Sequence, residues 1–163
     1  MTIAETLLPE FDQEMKTTRR LIERVPTEKG KWKPHPKSFP LGHLTQLVVM
    51  MPSWITNAVQ ETSLDLAKYP GYSYETTEDL VKTFDKNVKD ARAALEKTSD
   101  KDFSVNWSLK HGDNVFWTAP RATIVRQTIN HFVHHRGQLT VYLRLIDVPI
   151  PSIYGPTADE KTF

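Results

Sequence analysis

The sequence predicts an all-α fold, an antiparallel four-helix bundle with one long crossover and a short β-hairpin as decoration. Three observations predict it. Four stretches carry apolar residues at three- and four-residue steps, a proline-rich connection separates the first two, and one window near Trp107 changes to alternation. All-α packing of another type is the alternative. The 163 residues, 39% hydrophobic and 25% charged, are of ordinary globular composition and fit a single domain over residues 1–163.

Between Ile3 and Val25, the residues Leu8, Phe11, Met15, Thr18, Ile22 and Val25 form the stripe of a first amphipathic helix. The following PTEKGKWKPHPKSFP, residues 26–40, holds four prolines and a glycine and cannot continue it. It reads as the long crossover. Ser38 and Pro40 sit where a cap and a first-turn proline belong, opening a second helix near Leu41. That helix points Leu44, Leu47, Val48, Met51, Trp54, Ile55 and Val59 to the core, and Pro52 in its middle removes a hydrogen bond and is expected to bend it.

YPGYSY, residues 69–74, is a turn signal, after which Thr77 is the expected cap of a third helix carrying Leu80, Phe84, Val88, Ala91 and Leu95 and ending near Thr98. Phe103, Val105, Trp107 and Leu109 then alternate with polar residues, HGDN makes a turn, and Val115, Phe116 and Trp117 follow: a hairpin over one end of the helices. The fourth helix runs from about Arg121 to Ile146, where the prolines of DVPIPSIYGP stop it. The tail beyond is too polar and proline-rich to form a further element.

Charge and composition remove several function classes. The 21 lysines and arginines nearly cancel 20 acidic residues, so no electrostatic footprint for nucleic acid exists. No cysteine is present, which excludes disulfides, thiolate ligands and a cysteine nucleophile and restricts any metal to histidine, carboxylate or water. Charged residues or proline interrupt every apolar window before it reaches membrane-spanning length, and MTIAETLLPEFDQEMK lacks the layout of a signal peptide. A cytoplasmic protein without a membrane partner is expected.

NHFVHHRGQLTVYLRL, residues 130–145, places three histidines in an otherwise apolar helix. At about 100° per residue, His131 and His135 lie roughly 40° apart on one face with Ile124, Thr128, Leu139, Tyr142 and Ile146, so both are expected to point inward. His134 falls on the flank. Imidazoles at i and i+4 can grip one metal ion. His43, sharing a face of the second helix with Leu47, Met50 and Trp54, is the candidate third ligand. Burying three imidazoles without partners costs on the order of a few kcal/mol each, and one divalent ion satisfies a nitrogen on all three. The alternative is structural: His43 and His131 bind backbone groups or buried water, and His135 is half exposed at a bundle end. His35 and His111 read as loop residues. Gln46, Gln138 and Tyr142 are placed to orient a ligand imidazole or substrate. Arg136 and Arg144 fall on a side away from the histidine pair, suited to solvent, an ion pair with another helix, or a dimer contact.

KWKPHPKSFPLGHLTQLVVMMPSW (31–54), LKHGDNVFWTAPR and RQTINHFVHHRGQLTVYLRLIDVPIPSIYGPTADE (126–160) together resemble the DinB-like superfamily of four-helix proteins. The resemblance implies a bundle with one long crossover, frequent homodimers, and a divalent metal (zinc, nickel or iron) held by one histidine of the second helix and a histidine pair of the fourth. By position the pair is His131 and His135. Many relatives place the second-helix ligand at the position of Leu47 here, whereas this chain offers His43 one turn earlier, a displacement of about 6 Å along the axis. The implied function is that of a metal-dependent small-molecule enzyme, a hydrolase or a thiol S-transferase, whose partner is a small molecule or low-molecular-weight thiol. A non-catalytic, stress-associated binding or scaffold bundle with structural histidines is the second reading. In that reading Trp32, Trp107, Trp117 and Tyr154 pack the fold rather than line a pocket. A solvent-reachable cavity beside His131 and His135 distinguishes the two.

Overall fold

The computed structural model describes residues 1–68 and 76–161, so the expected turn at 69–74 lies outside the described residues. The chain is mostly helical, with a small three-stranded sheet. Helix α1 spans Ile3–Ile22 and starts on a reciprocal capping box: Glu5 N–H donates to Thr2 Oγ1 while Thr2 N–H donates to the Glu5 carboxylate at 2.7 Å. Its apolar stripe buries Phe11, Met15, Thr18 and Ile22 as the spacing requires.

Helix α2 spans Leu41–Gln60, with Pro40 at the cap position and no side-chain cap. The expected cap at Ser38 is therefore not formed. The crossover takes over its work: Leu41 N–H donates to Trp32 C=O at 2.9 Å and Gly42 N–H to Gly30 C=O at 3.0 Å, satisfying donors that a helix start leaves open. The helix runs unbroken through Pro52. Near that proline, Asn87 Nδ2 donates to Val49 C=O at 3.0 Å and Ser53 Oγ to Met50 C=O at 2.7 Å, one and two positions past the Val48 C=O that Pro52 cannot serve.

Strand β1 (Ser63–Asp65) follows, then helix α3 (Thr77–Lys97) and a one-turn helix α4 (Asp100–Phe103). The cap of α3 is Thr76, whose Oγ1 accepts from Asp79 N–H; Thr77, the expected cap, instead donates to Val25 C=O at 2.8 Å and ties α3 to the end of α1. Phe103 is a buried residue of α4 rather than the first residue of a strand. Strands β2 (Asn106–His111) and β3 (Asn114–Pro120) form the expected hairpin, paired from Asn106–Pro120 to His111–Asn114. Gly112 begins its two-residue turn at φ +58°, the left-handed conformation a hairpin of this length asks of its first turn residue. The short β1 joins β2 in parallel, an element too brief to leave a periodic signal. Asp65 Oδ1 accepts from Gly112 N–H at 2.9 Å and ties the hairpin turn to this added strand.

Helix α5 spans Arg121–Leu145. It ends before the prolines: Asp147 takes a left-handed φ of 62°, with Asp147 N–H donating to Arg144 C=O and Val148 N–H to Leu143 C=O, a Schellman closure. Helix α2 packs on α3 and α5, and α1 packs on the same two, around a core that includes Phe11, Met51, Phe84, Leu95 and Phe132. The hairpin is fixed to the end of α2 by Trp107 Nε1 donating to Asn57 Oδ1 at 2.9 Å, and the start of α5 by Arg121 donating to Glu61 C=O at 2.8 Å.

Among the described residues the tail forms no helix or strand, as expected, and it is held by charge. Glu160 accepts from Arg20, Arg24 and the Ser152 N–H, which hold its carboxyl down to about 2. Arg144 pairs with Asp159. Among the described residues no helix is long and apolar enough to cross a membrane.

Candidate functional site

Helix α5 brings His131 and His135 together one turn apart, with their Nε2 atoms at 2.8 Å and ring centroids at 4.6 Å. The other nitrogen of His135, Nδ1, lies 2.7 Å from Gln138 Oε1. An amide oxygen only accepts, so Nδ1 carries the hydrogen and His135 Nε2 presents a lone pair toward His131. Two lone pairs cannot face one another at this distance, so a proton from His131, or a cation, must lie between the two nitrogens. Loss of solvation, near-complete at His135 and partial at His131, is the main cause holding both imidazoles below their ordinary pKa; at His135 the Gln138 bond opposes it, and neighbouring histidines lower both further. His135 is buried as the periodicity predicts, whereas His131 is exposed: its ring lies at the edge of the helix contact, against a pocket.

His43 is half-buried and stacks flat on Phe39, with centroids 4.3 Å apart and planes 4° from parallel. Its pKa is lowered first by burial and then by the charge of His135, which puts the two in electrostatic reach of each other. Among the described residues, no three histidine or carboxylate side chains are gathered as a ready metal cage. The structure thus joins His131 to His135, with His43 in electrostatic reach of His135. Leu47, at the alternative ligand position, is buried in the core.

The donor pair suits a borderline divalent ion. Two nitrogens bonded at about 2.0–2.1 Å to a tetrahedral ion stand roughly 3.3 Å apart, so the rings would part slightly from their 2.8 Å separation to hold one. Gln138 supplies the hydrogen-bond acceptor that ligand imidazoles commonly require on their second nitrogen. Of the other expected orienting residues, Tyr142 packs edge-on against Trp32 with centroids 5.7 Å apart, and Gln46 is buried in α2. His134 is exposed with its ring edge-on to His135; His35 and His111 are exposed in the crossover and the hairpin.

A cavity of about 350 Å³ adjoins the pair, lined by His131, Trp54, Trp107, Trp117 and Leu109 among others. It is open to solvent over part of its surface, and one lining residue, Leu66, is exposed. Of the aromatic residues read as packing, Trp107 and Trp117 belong to this wall, while Trp32 does pack. The wall was legible in part: Trp107 and Leu109 share a face of one strand, and Leu109 pairs with Trp117 across the ladder. Gln127, one turn before His131 on α5, also lines the cavity and was not singled out.

Arg136 takes the ion pair with another helix that its side of α5 suited. It is fully buried, and its partner, Glu14 of α1, is buried with it. Tyr154 closes the group, its hydroxyl accepting from Arg136 and donating to Glu14, each at 2.8 Å. Glu14 is committed to this network and is not available to the histidine pair.

A profile of the DinB family matches residues 1–162. The chain belongs to the DinB family. Solved DinB-like proteins share the fold of this DinB-family chain. One from Bacillus cereus superposes with a TM-score of 0.72 at 22% identity, covering 92% of this chain and 97% of that one. One from Bacillus subtilis (yjoa) gives 0.71 at 16% identity, covering 96% and 99%. A protein described as a DinB-family member from Exiguobacterium sibiricum gives 0.68 at 20%, covering 93% and 97%. At these identities the likeness is one of fold. The uncharacterized protein YrdA of Bacillus subtilis is 42% identical over 41 residues, so this chain spans only 25% of the length of that relative.

Proposed function

We propose that this DinB-family protein is a divalent-metal-dependent enzyme acting on a small molecule, as a hydrolase or a thiol S-transferase, on an antiparallel four-helix bundle that pairs as a homodimer. The observation that carries the reading is the solvent-reachable cavity whose wall includes His131, itself bonded to His135. A scaffold has no need of an open apolar cavity beside a preorganised imidazole pair. His131 and His135 would hold the ion, zinc, nickel or iron, with His43 as the further nitrogen ligand. When bound, such an ion supplies Lewis acidity that lowers the pKa of a water or thiol toward neutrality. The chain's own residues do the remainder: Gln138 fixes the tautomer that aims a lone pair outward from His135, and the indoles of the cavity exclude water from the reacting molecule.

That three ligand groups are not gathered among the described residues favours a second reading, in which the pair is structural and the cavity only binds. Elemental analysis of untagged protein separates the two. The enzyme reading expects about one equivalent of metal per chain, absent from the His131→Ala, His135→Ala double variant. No metal as purified and none taken up on titration would sink it. Sedimentation equilibrium tests the homodimer.

A further inference from the structure

The cavity beside the histidine pair has a wall chemistry that names its occupant more narrowly than the fold does. Three indoles reach it from two elements, Trp54 from α2 and Trp107 and Trp117 from the hairpin. Leu64 and Leu66 close it from β1 and the turn after it, and Ile124 from α5. The polar groups on the wall are Gln127, Thr128 and His131, all on α5. Two polar functions in this wall are already engaged: the Trp107 N–H donates to Asn57, and the Thr128 hydroxyl donates to Ile124 C=O at 2.9 Å. Among the described lining residues none is an aspartate, glutamate, lysine or arginine. An anionic ligand would therefore lose its hydration without gaining a counter-charge from the chain's own side chains, which is costly in an apolar site; a cation would find indole rings but no carboxylate. A flat apolar ligand meets indole rings and aliphatic side chains, and at about 350 Å³ the space is at the small end of small-molecule sites.

We propose that this cavity is the binding site for an uncharged, flat aromatic molecule of one or two rings, seated between the indoles of Trp54, Trp107 and Trp117 with its reacting end toward His131. This assignment rests on the functional reading above for the chemistry, but not for the binding itself. The three indoles are also the reporters. Titration with 2-naphthol, read by quenching of tryptophan emission, is expected to saturate in both chelator-treated and zinc-supplemented protein. Naphthalene-2-sulfonate, which adds a charge to the same ring system, is expected to bind at least about tenfold more weakly.

Two variants locate the site. Trp117→Ala removes an indole from a half-buried strand position, and Leu66→Asp places a carboxylate at an exposed lining position, so each is expected to weaken 2-naphthol binding about fivefold or more while circular dichroism stays unchanged. Absence of saturable binding, equal affinity for the sulfonate, or unchanged affinity in both folded variants overturns the assignment. Binding of 2-naphthol by protein that takes up no metal leaves the cavity assignment standing and removes the metal-dependent enzyme; metal uptake without 2-naphthol binding does the reverse.

Discussion

Gln138 Oε1 and His135 Nδ1 lie 2.7 Å apart on α5, so the orientation of the buried imidazole is set by a residue three positions further along the same helix. The bond holds the ring's hydrogen on the side away from His131. Removing it frees the other tautomer and lets the ring rotate. Gln138→Leu is accordingly expected to weaken metal binding by about 10–100-fold, while Gln138→Glu, which keeps an accepting oxygen, retains most of it. Competition against a chromogenic chelator measures both.

The histidine pair also makes stability depend on pH with a definite sign. Burial lowers the pKa of both His131 and His135 in the folded chain, so below the ordinary histidine value of about 6.5 the unfolded chain binds more protons than the folded one. The stabilising effect is complete above that value and is lost as pH falls toward the lowered folded pKa. Urea midpoints measured from about pH 8 down to pH 5 are expected to drop, and to drop less in His135→Gln, which does not titrate. Equal slopes for the two proteins would contradict the assignment.

Arg136 and Glu14 are both buried, and removing one leaves the other charge without its partner in the core. Arg136→Ala is expected to cost about 3–5 kcal/mol in chemical denaturation. The double variant Arg136→Met, Glu14→Leu is expected to recover much of that loss, because it buries no charge. Tyr154→Phe, which removes the hydroxyl shared by both, should fall between wild type and Arg136→Ala.

What was legible in the chain follows from distance along it. The helices were visible because their stripes repeat within a few residues, and the His131–His135 pair because four residues make one helical turn. Adjacent threonines at 76 and 77 carry the same local signal, and which one caps α3 was decided by the contact of Thr77 with Val25, a residue far away in sequence. The burial of Arg136 was hidden for the same reason: its partner stands on α1, and nothing within its own helix announces a carboxylate there. Strand β1 has only three residues, and its pairing with β2 exists only once the hairpin has folded onto α2. The place of His43 beside His135 likewise depends on how α2 meets α5.

The indoles facing the cavity come mainly from the hairpin, whereas the imidazole pair and its glutamine lie on a single helix that is complete without it. The two can therefore vary independently. Substitutions on β2 and β3, or a change in the turn at Gly112, would reshape what the cavity accepts while leaving the nitrogens of α5 where they are. For a protein engineer, the hairpin is an exchangeable wall mounted beside a fixed pair of imidazoles.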